Sequence, residues 1–271
     1  MMALVMMVFI AHHCDRFYRR TVQPMSSTPS SSPFAQSPGL LEWLAWSAVL
    51  VGMVLVLSAW MGPAIASPLA VWVTVLVVYA LLIGILAQHR AVSGLAGRVT
   101  LVRALITIGL LGFLWSPNVY QTFGFELGLM GLMALLLDGL DGHLARRRAE
   151  TTPAGARFDM ETDAAMILVL SVAVWLSGRA GVWILLMGAL RYVFVASAWC
   201  WPWMSQPLPD SLRRKVICVV QVSVLLLVLP MWLPGPMATA VLLIGLALLL
   251  YSFGVDTLWL WTQRHKRGVL K

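Results

Sequence analysis

The chain has 271 residues, of which 60% are hydrophobic and only 11% charged, far more apolar surface than a soluble core of this length can hide. That excludes an ordinary soluble domain and makes the chain an integral membrane protein. The excess of 19 Lys and Arg over 11 Asp and Glu sits beside apolar spans, so it reports membrane topology, and nucleic acid is excluded as a partner.

The opening run 1–10 is apolar but roughly half as long as a bilayer crossing requires, and it lacks the basic flank of a secretion signal. Met25 is a candidate start. After Arg16, Arg19 and Arg20, the stretch 24–39 is rich in Ser and Pro, so residues 1–39 are expected to be a disordered cytoplasmic tail. Apolar stretches then follow at 41–61, 69–87, 100–115, 123–137, 164–176, 182–199, 216–232 and 237–261. They predict eight transmembrane helices, the shorter ones completed by polar residues at their inner ends. With a cytoplasmic amino terminus, sixteen Lys and Arg fall on inner segments and only Arg179 on an outer loop, as the positive-inside rule expects. The short loops suit a bacterial inner membrane, and residues 263–271 form a basic cytoplasmic tail. Trp43, Trp60, Trp115, Trp201, Trp203, Trp232 and Trp261 near span ends suit interfacial anchoring. Cys14, Cys200 and Cys218 have no zinc or redox spacing and are expected to be buried small apolar residues.

Six of the eleven acidic residues, Asp138, Asp141, Glu150, Asp159, Glu161 and Asp163, lie within 26 positions. On one helix Asp138, Asp141, Gly142, Ala145 and Arg146 share a face. A break follows, where Thr152 can cap and Pro153 can open the next helix. On that helix Gly155, Asp159, Thr162 and Asp163 share a face. Two antiparallel helices can so bring four carboxylates together at one membrane boundary, where such charge density calls for cations. Hard divalent ions, Mg²⁺ or Mn²⁺, take carboxylate oxygens, and a pair of them can clamp the atoms of a phosphoryl displacement. Arg146 offers a planar fork to phosphate. Gly142, Ala145 and Gly155 are small where a nucleotide must approach backbone closely.

The string D-x2-D-G-x2-A-R-x8-G-x3-D-x3-D, met at Asp138, Asp141, Gly142, Ala145, Arg146, Gly155, Asp159 and Asp163, resembles the signature of the CDP-alcohol phosphotransferases. The resemblance implies an all-α integral membrane fold: a six-helix catalytic domain at 96–262, preceded by two additional transmembrane helices at 40–95. It implies transfer of a phosphatidyl group from CDP-diacylglycerol to a small alcohol, with release of CMP and with two Mg²⁺ or Mn²⁺ ions as cofactors. Asp138, Asp141 and Asp159 would be the principal metal ligands. Asp163 would help bind metal and take the proton of the acceptor hydroxyl. Gly142, Ala145, Arg146 and Gly155 would surround the CDP pyrophosphate. Membrane lipids are implied partners, and homodimers are usual in such a family. Two positions depart from the pattern. Gly97 stands where members often have Asn before Thr100 and Arg103, and Ala164 follows the last aspartate where users of glycerophosphate often have Lys.

Arg191 lies near the middle of the sixth span, where a guanidinium must face protein or water. With Arg103 and Lys215 it is expected to line an acceptor pocket suited to a phosphate-bearing alcohol; pairing with an acidic residue of the bundle is the structural alternative. Glu161 is expected to pair with Arg157. His143 is assigned no part in the chemistry, and Glu126, near the outer end of its span, and Asp256, which is isolated in the sequence, are expected to have structural roles. A CDP-linked head group transferred to diacylglycerol is a variant of the same reading. A cation transporter or a non-enzymatic scaffold are alternatives from other classes, disfavoured because the aspartates sit at one membrane face and no signature position is lost.

Overall fold

A computed structural model describes residues 39–89, 94–148, 153–206, 208–209 and 211–269, with side chains at all of these except 87–89, 94–95, 140–148, 153, 199, 202, 205 and 265–269. The expected tail 1–39 and the Thr152 cap therefore lie outside the described residues, Gly39 excepted. Among the described residues the chain is helical and contains no strand. Its long helices are α1 (Leu40–Met61), α2 (Pro68–His89), α3 (Gly94–Phe113), α5 (Gly124–Arg148), α6 (Pro153–Leu176), α7 (Leu185–Cys200), α8 (Leu212–Val228) and α9 (Gly235–Val269), with a short α4 (Pro117–Thr122) between α3 and α5.

Each predicted span has its helix. Among the described residues four segments, Leu40–Ala64, Pro68–Leu86, Ala96–Phe113 and Gly235–Arg264, are long and apolar enough to cross a bilayer by themselves. The 22 residues of α1 reach about 33 Å at the α-helical rise, slightly more than the hydrocarbon thickness. α5 and α6 run to 25 and 24 residues because their polar segments continue the helix. α8 begins four residues before the predicted span and stops at Val228, short of the expected Trp232. Pro230 is the cause, since it has no N–H to donate to the Leu226 carbonyl and its ring crowds the preceding turn. Trp232 then donates its indole N–H to the Leu227 carbonyl at 2.7 Å, satisfying a helix-end acceptor.

α3 is the central helix: 67% of its span is buried within the protein against 11% for α1. It packs against α1, α2, α5 and α6, while α6 also meets α7 and α8, and α8 meets α9. Close approach between α6 and α7 needs Gly188, where a Cβ would lie 2.5 Å from the Leu168 Cα. α6 ends on Gly178 at φ 78°. The Arg179 N–H returns to the Val174 carbonyl at 3.2 Å and the Gly178 N–H to the Trp175 carbonyl at 3.0 Å, a left-handed cap that glycine adopts without a Cβ penalty. The α1–α2 pair is tied to α3 by Arg98, whose Nε and Nη2 donate to the two Glu42 oxygens at 2.7 and 3.0 Å. A small core of Leu86, Leu101, Ala104 and Phe158, flanked by Trp43 and Trp46, packs this pair onto α3 and the start of α6.

Three expectations from sequence change. Cys200, at the end of α7, is exposed and Cys218 is only partly buried, so neither is a core residue; Cys14 lies outside the described residues. Trp60, Trp115, Trp201, Trp232 and Trp261 are well exposed near helix ends, but Trp43 packs inward and Trp203 lies edge-on to Trp261 at 5.6 Å. Asp256 is not isolated: it receives Arg213 at 2.5 Å and lies 3.6 Å from Arg214, joining the start of α8 to α9.

Candidate metal centre

Three helices deliver charge to one level. Arg103 lies nine residues into α3 from Gly94, Asp138 ten residues before the end of α5, and Asp163 ten residues after the start of α6. At ~1.5 Å per residue all three lie ~14–15 Å along their helices from the same end of the bundle. Asp159, one turn before Asp163, is on the same face of α6. The four-residue link between α5 and α6 is too short to place their adjoining ends on opposite sides.

The side chains converge. One oxygen from each of Asp138, Asp159 and Asp163 lies within 4.8 Å of the others. The Arg103 guanidinium sits among them: Nη1 is 2.8 Å from Asp138 Oδ1 and 2.6 Å from Asp159 Oδ1, and Nη2 bonds Asp163 Oδ1. Arg103 is 2% exposed, while the three aspartates are 26%, 38% and 25% exposed. The cation is thus sealed inside and the carboxylates open outward. Like charges one turn apart, as at Asp159 and Asp163, repel, and the two arms of one guanidinium offset that repulsion. The Cys218 thiol on α8 donates to the remaining Asp163 oxygen, Oδ2, at 3.8 Å.

One guanidinium against three carboxylates leaves two negative charges uncompensated within the triad, and all its donors are hard oxygens. This set fits Mg²⁺ or Mn²⁺ and does not fit a thiolate-preferring ion. Asp138, Asp159 and Asp163 are the residues that would hold the metal.

α5 is helical through Arg148, so 138, 141, 142, 145 and 146 keep the helical spacing assumed from sequence. The side chains of Asp141, Ala145 and Arg146 lie outside the described residues, as does that of His143. Gly155 is in the first turn of α6. The three cations expected in one acceptor pocket differ in their surroundings. Arg103 is on the aspartates, Arg191 Nη2 donates to Glu161 Oε1 at 2.6 Å, and Lys215 is exposed on α8. Glu161 thereby reaches across to α7 and takes Arg191 in place of the expected pairing with Arg157. Glu161 Oε2 and Arg191 Nε are buried without a hydrogen-bond partner among the described residues. Sequence reasoning assigned Cys218 no place near the aspartates, and no spacing in the chain signals it.

A family model for CDP-alcohol phosphatidyltransferases matches residues 94–253, more than half of the chain. The chain belongs to the CDP-alcohol phosphatidyltransferase family. The match begins with α3 and ends within α9, leaving α1 and α2 ahead of it. Comparison with curated proteins and with solved structures finds no match. CDP-alcohol phosphatidyltransferases are transferases that use CDP-alcohol substrates and divalent metals, and the carboxylate triad sits inside the matched segment.

Proposed function

We propose that this protein transfers a phosphatidyl group from CDP-diacylglycerol to a small, phosphorylated or unmodified alcohol and releases CMP. The observation that carries the reading is the convergence of Asp138, Asp159 and Asp163 within 4.8 Å, on the helices that bear the full signature. Asp138, Asp141 and Asp159 hold metal, and Asp163 shares that role. Two bound Mg²⁺ or Mn²⁺ ions supply charge neutralisation on the pyrophosphate. Arg146 binds a phosphate oxygen through its fork, and Gly142, Ala145 and Gly155 leave room for the nucleotide. Asp163 takes the proton of the acceptor hydroxyl as that oxygen attacks the lipid-side phosphorus. The bond to CMP breaks and CMP leaves. Positioning and electrostatics provide most of the rate, as in other phosphoryl transfers.

The acceptor side is formed by Arg191 and Lys215. Arg103, originally grouped with them, is engaged by the aspartates. Support for Arg191 comes from its buried Nε and from Glu161 Oε2, neither of which has a hydrogen-bond partner among the described residues, since such groups are costly unless a ligand or water completes them. The catalytic membrane domain is 96–262, with 40–95 as two added helices, 1–39 as an amino-terminal tail and 263–271 as a basic tail. The site faces the cytoplasm of a bacterial inner membrane.

The test is CMP release by purified protein with CDP-diacylglycerol and Mn²⁺, offered glycerol 3-phosphate, serine, inositol phosphate or inositol in turn. Release with one acceptor supports the reading. No CMP with any acceptor, but release from a CDP-linked head group with diacylglycerol, would select the variant reaction, and no release in either format would refute the enzyme assignment.

A further inference from the structure

The site contains a cation of its own. Arg103 comes from α3, outside the α5–α6 signature, yet it uses one oxygen of every described aspartate in the cluster. Its side chain is sealed at 2% exposure, where a guanidinium is held only if it is paired. Those same carboxylate oxygens are the donors that a divalent ion requires, and a dication placed among them would face a fixed positive charge at hydrogen-bond range.

We propose that Arg103 is the resident counter-ion of the metal site: it offsets part of the charge of Asp138, Asp159 and Asp163 and gives up carboxylate oxygens as metal binds. This inference rests on the metal reading above. The guanidinium takes up part of the triad's charge, so a divalent ion has to displace it from oxygens the ion needs, and the apparent metal affinity is lowered by that displacement. Binding of the two cations is negatively coupled, which by linkage must appear both in metal affinity and in stability.

A residue serving only the packing of α3 would lower stability equally with and without metal. One that orients the aspartates for metal would, when removed, weaken metal binding. A resident counter-ion does neither. The experiment compares wild type, Arg103→Gln and Arg103→Lys in detergent, with Mn²⁺ binding followed by the electron paramagnetic resonance of free Mn²⁺ and unfolding followed in EDTA and in saturating Mn²⁺. For Arg103→Gln the expected result is a lower melting temperature in EDTA, a larger Mn²⁺-induced rise than in wild type, and Mn²⁺ affinity at least ~5-fold tighter. Arg103→Lys keeps the charge and loses the fork, so it serves if the glutamine variant does not survive without metal. Its affinity should stay within about twofold of wild type, with stability in EDTA reduced. Weaker or unchanged Mn²⁺ binding in Arg103→Gln, or in Arg103→Lys a change as large as in the glutamine variant, would overturn the proposal. Absence of Mn²⁺ binding in wild type would instead refute the metal reading itself, and this inference with it.

Discussion

Replacing Glu161 by Gln removes the charge that holds Arg191 where α6 meets α7. The pair is short, 2.6 Å, and its side chains are 32% exposed for Arg191 and 23% for Glu161. Breaking a fully buried ion pair from one side costs ~3–5 kcal/mol, because an uncompensated charge stays inside. Partial exposure lets solvent screen Arg191, which lowers the expected loss to about 2 kcal/mol. In a chain of this size that corresponds to a fall of roughly 4–8 °C in melting temperature. The assay is thermal unfolding in detergent of wild type, Glu161→Gln, Arg191→Met and the double variant. Because removing both charges leaves nothing unpaired, the double variant should be more stable than the sum of the single losses implies, by about 1 kcal/mol or more. A Glu161→Gln protein within ~0.5 kcal/mol of wild type, or a strictly additive double variant, would refute the pairing.

Asp163→Asn keeps the shape of the side chain and removes its capacity to accept a proton; turnover should fall by ~10²–10⁴-fold while Mn²⁺ binding is only partly reduced. Wild-type turnover in single-turnover kinetics would remove Asp163 as the base. Gly188→Leu forces a side chain into the backbone of α6, where even a Cβ would sit 2.5 Å from the Leu168 Cα. It should destabilise the protein by ~1–3 kcal/mol, read as a lower midpoint of unfolding, and an unchanged midpoint would contradict that helix contact.

What the sequence made legible follows from what helical periodicity can carry. Asp159 and Asp163 face together because they are one turn apart, and Asp138 meets them because α5 and α6 are consecutive antiparallel helices with a four-residue link. Local spacing and connectivity sufficed for both. Arg103 could not be placed this way, since its partner depends on how α3 is rotated against α5 and α6, and nothing local to Thr100–Arg103 sets that rotation. Glu161 is the same case: Arg157 is the neighbour along its own helix, but the helix-to-helix contact at Gly188 puts α7 beside it, and Arg191 gains the bond. Cys218 beside Asp163 likewise depends on the packing of α8 onto α6. The end of α8 was readable in principle from Pro230, whose effect was hidden by the apolar run that continues to Trp232.

The most direct test of the metal centre is anomalous diffraction at a manganese-sensitive wavelength from crystals of the purified protein grown with Mn²⁺. The expected result is one or two peaks bounded by Asp138, Asp159 and Asp163, at ~2.0–2.3 Å from their carboxylate oxygens, with the Arg103 guanidinium drawn back from at least one of them. A map with no peak there, under conditions in which the protein releases CMP, would contradict it.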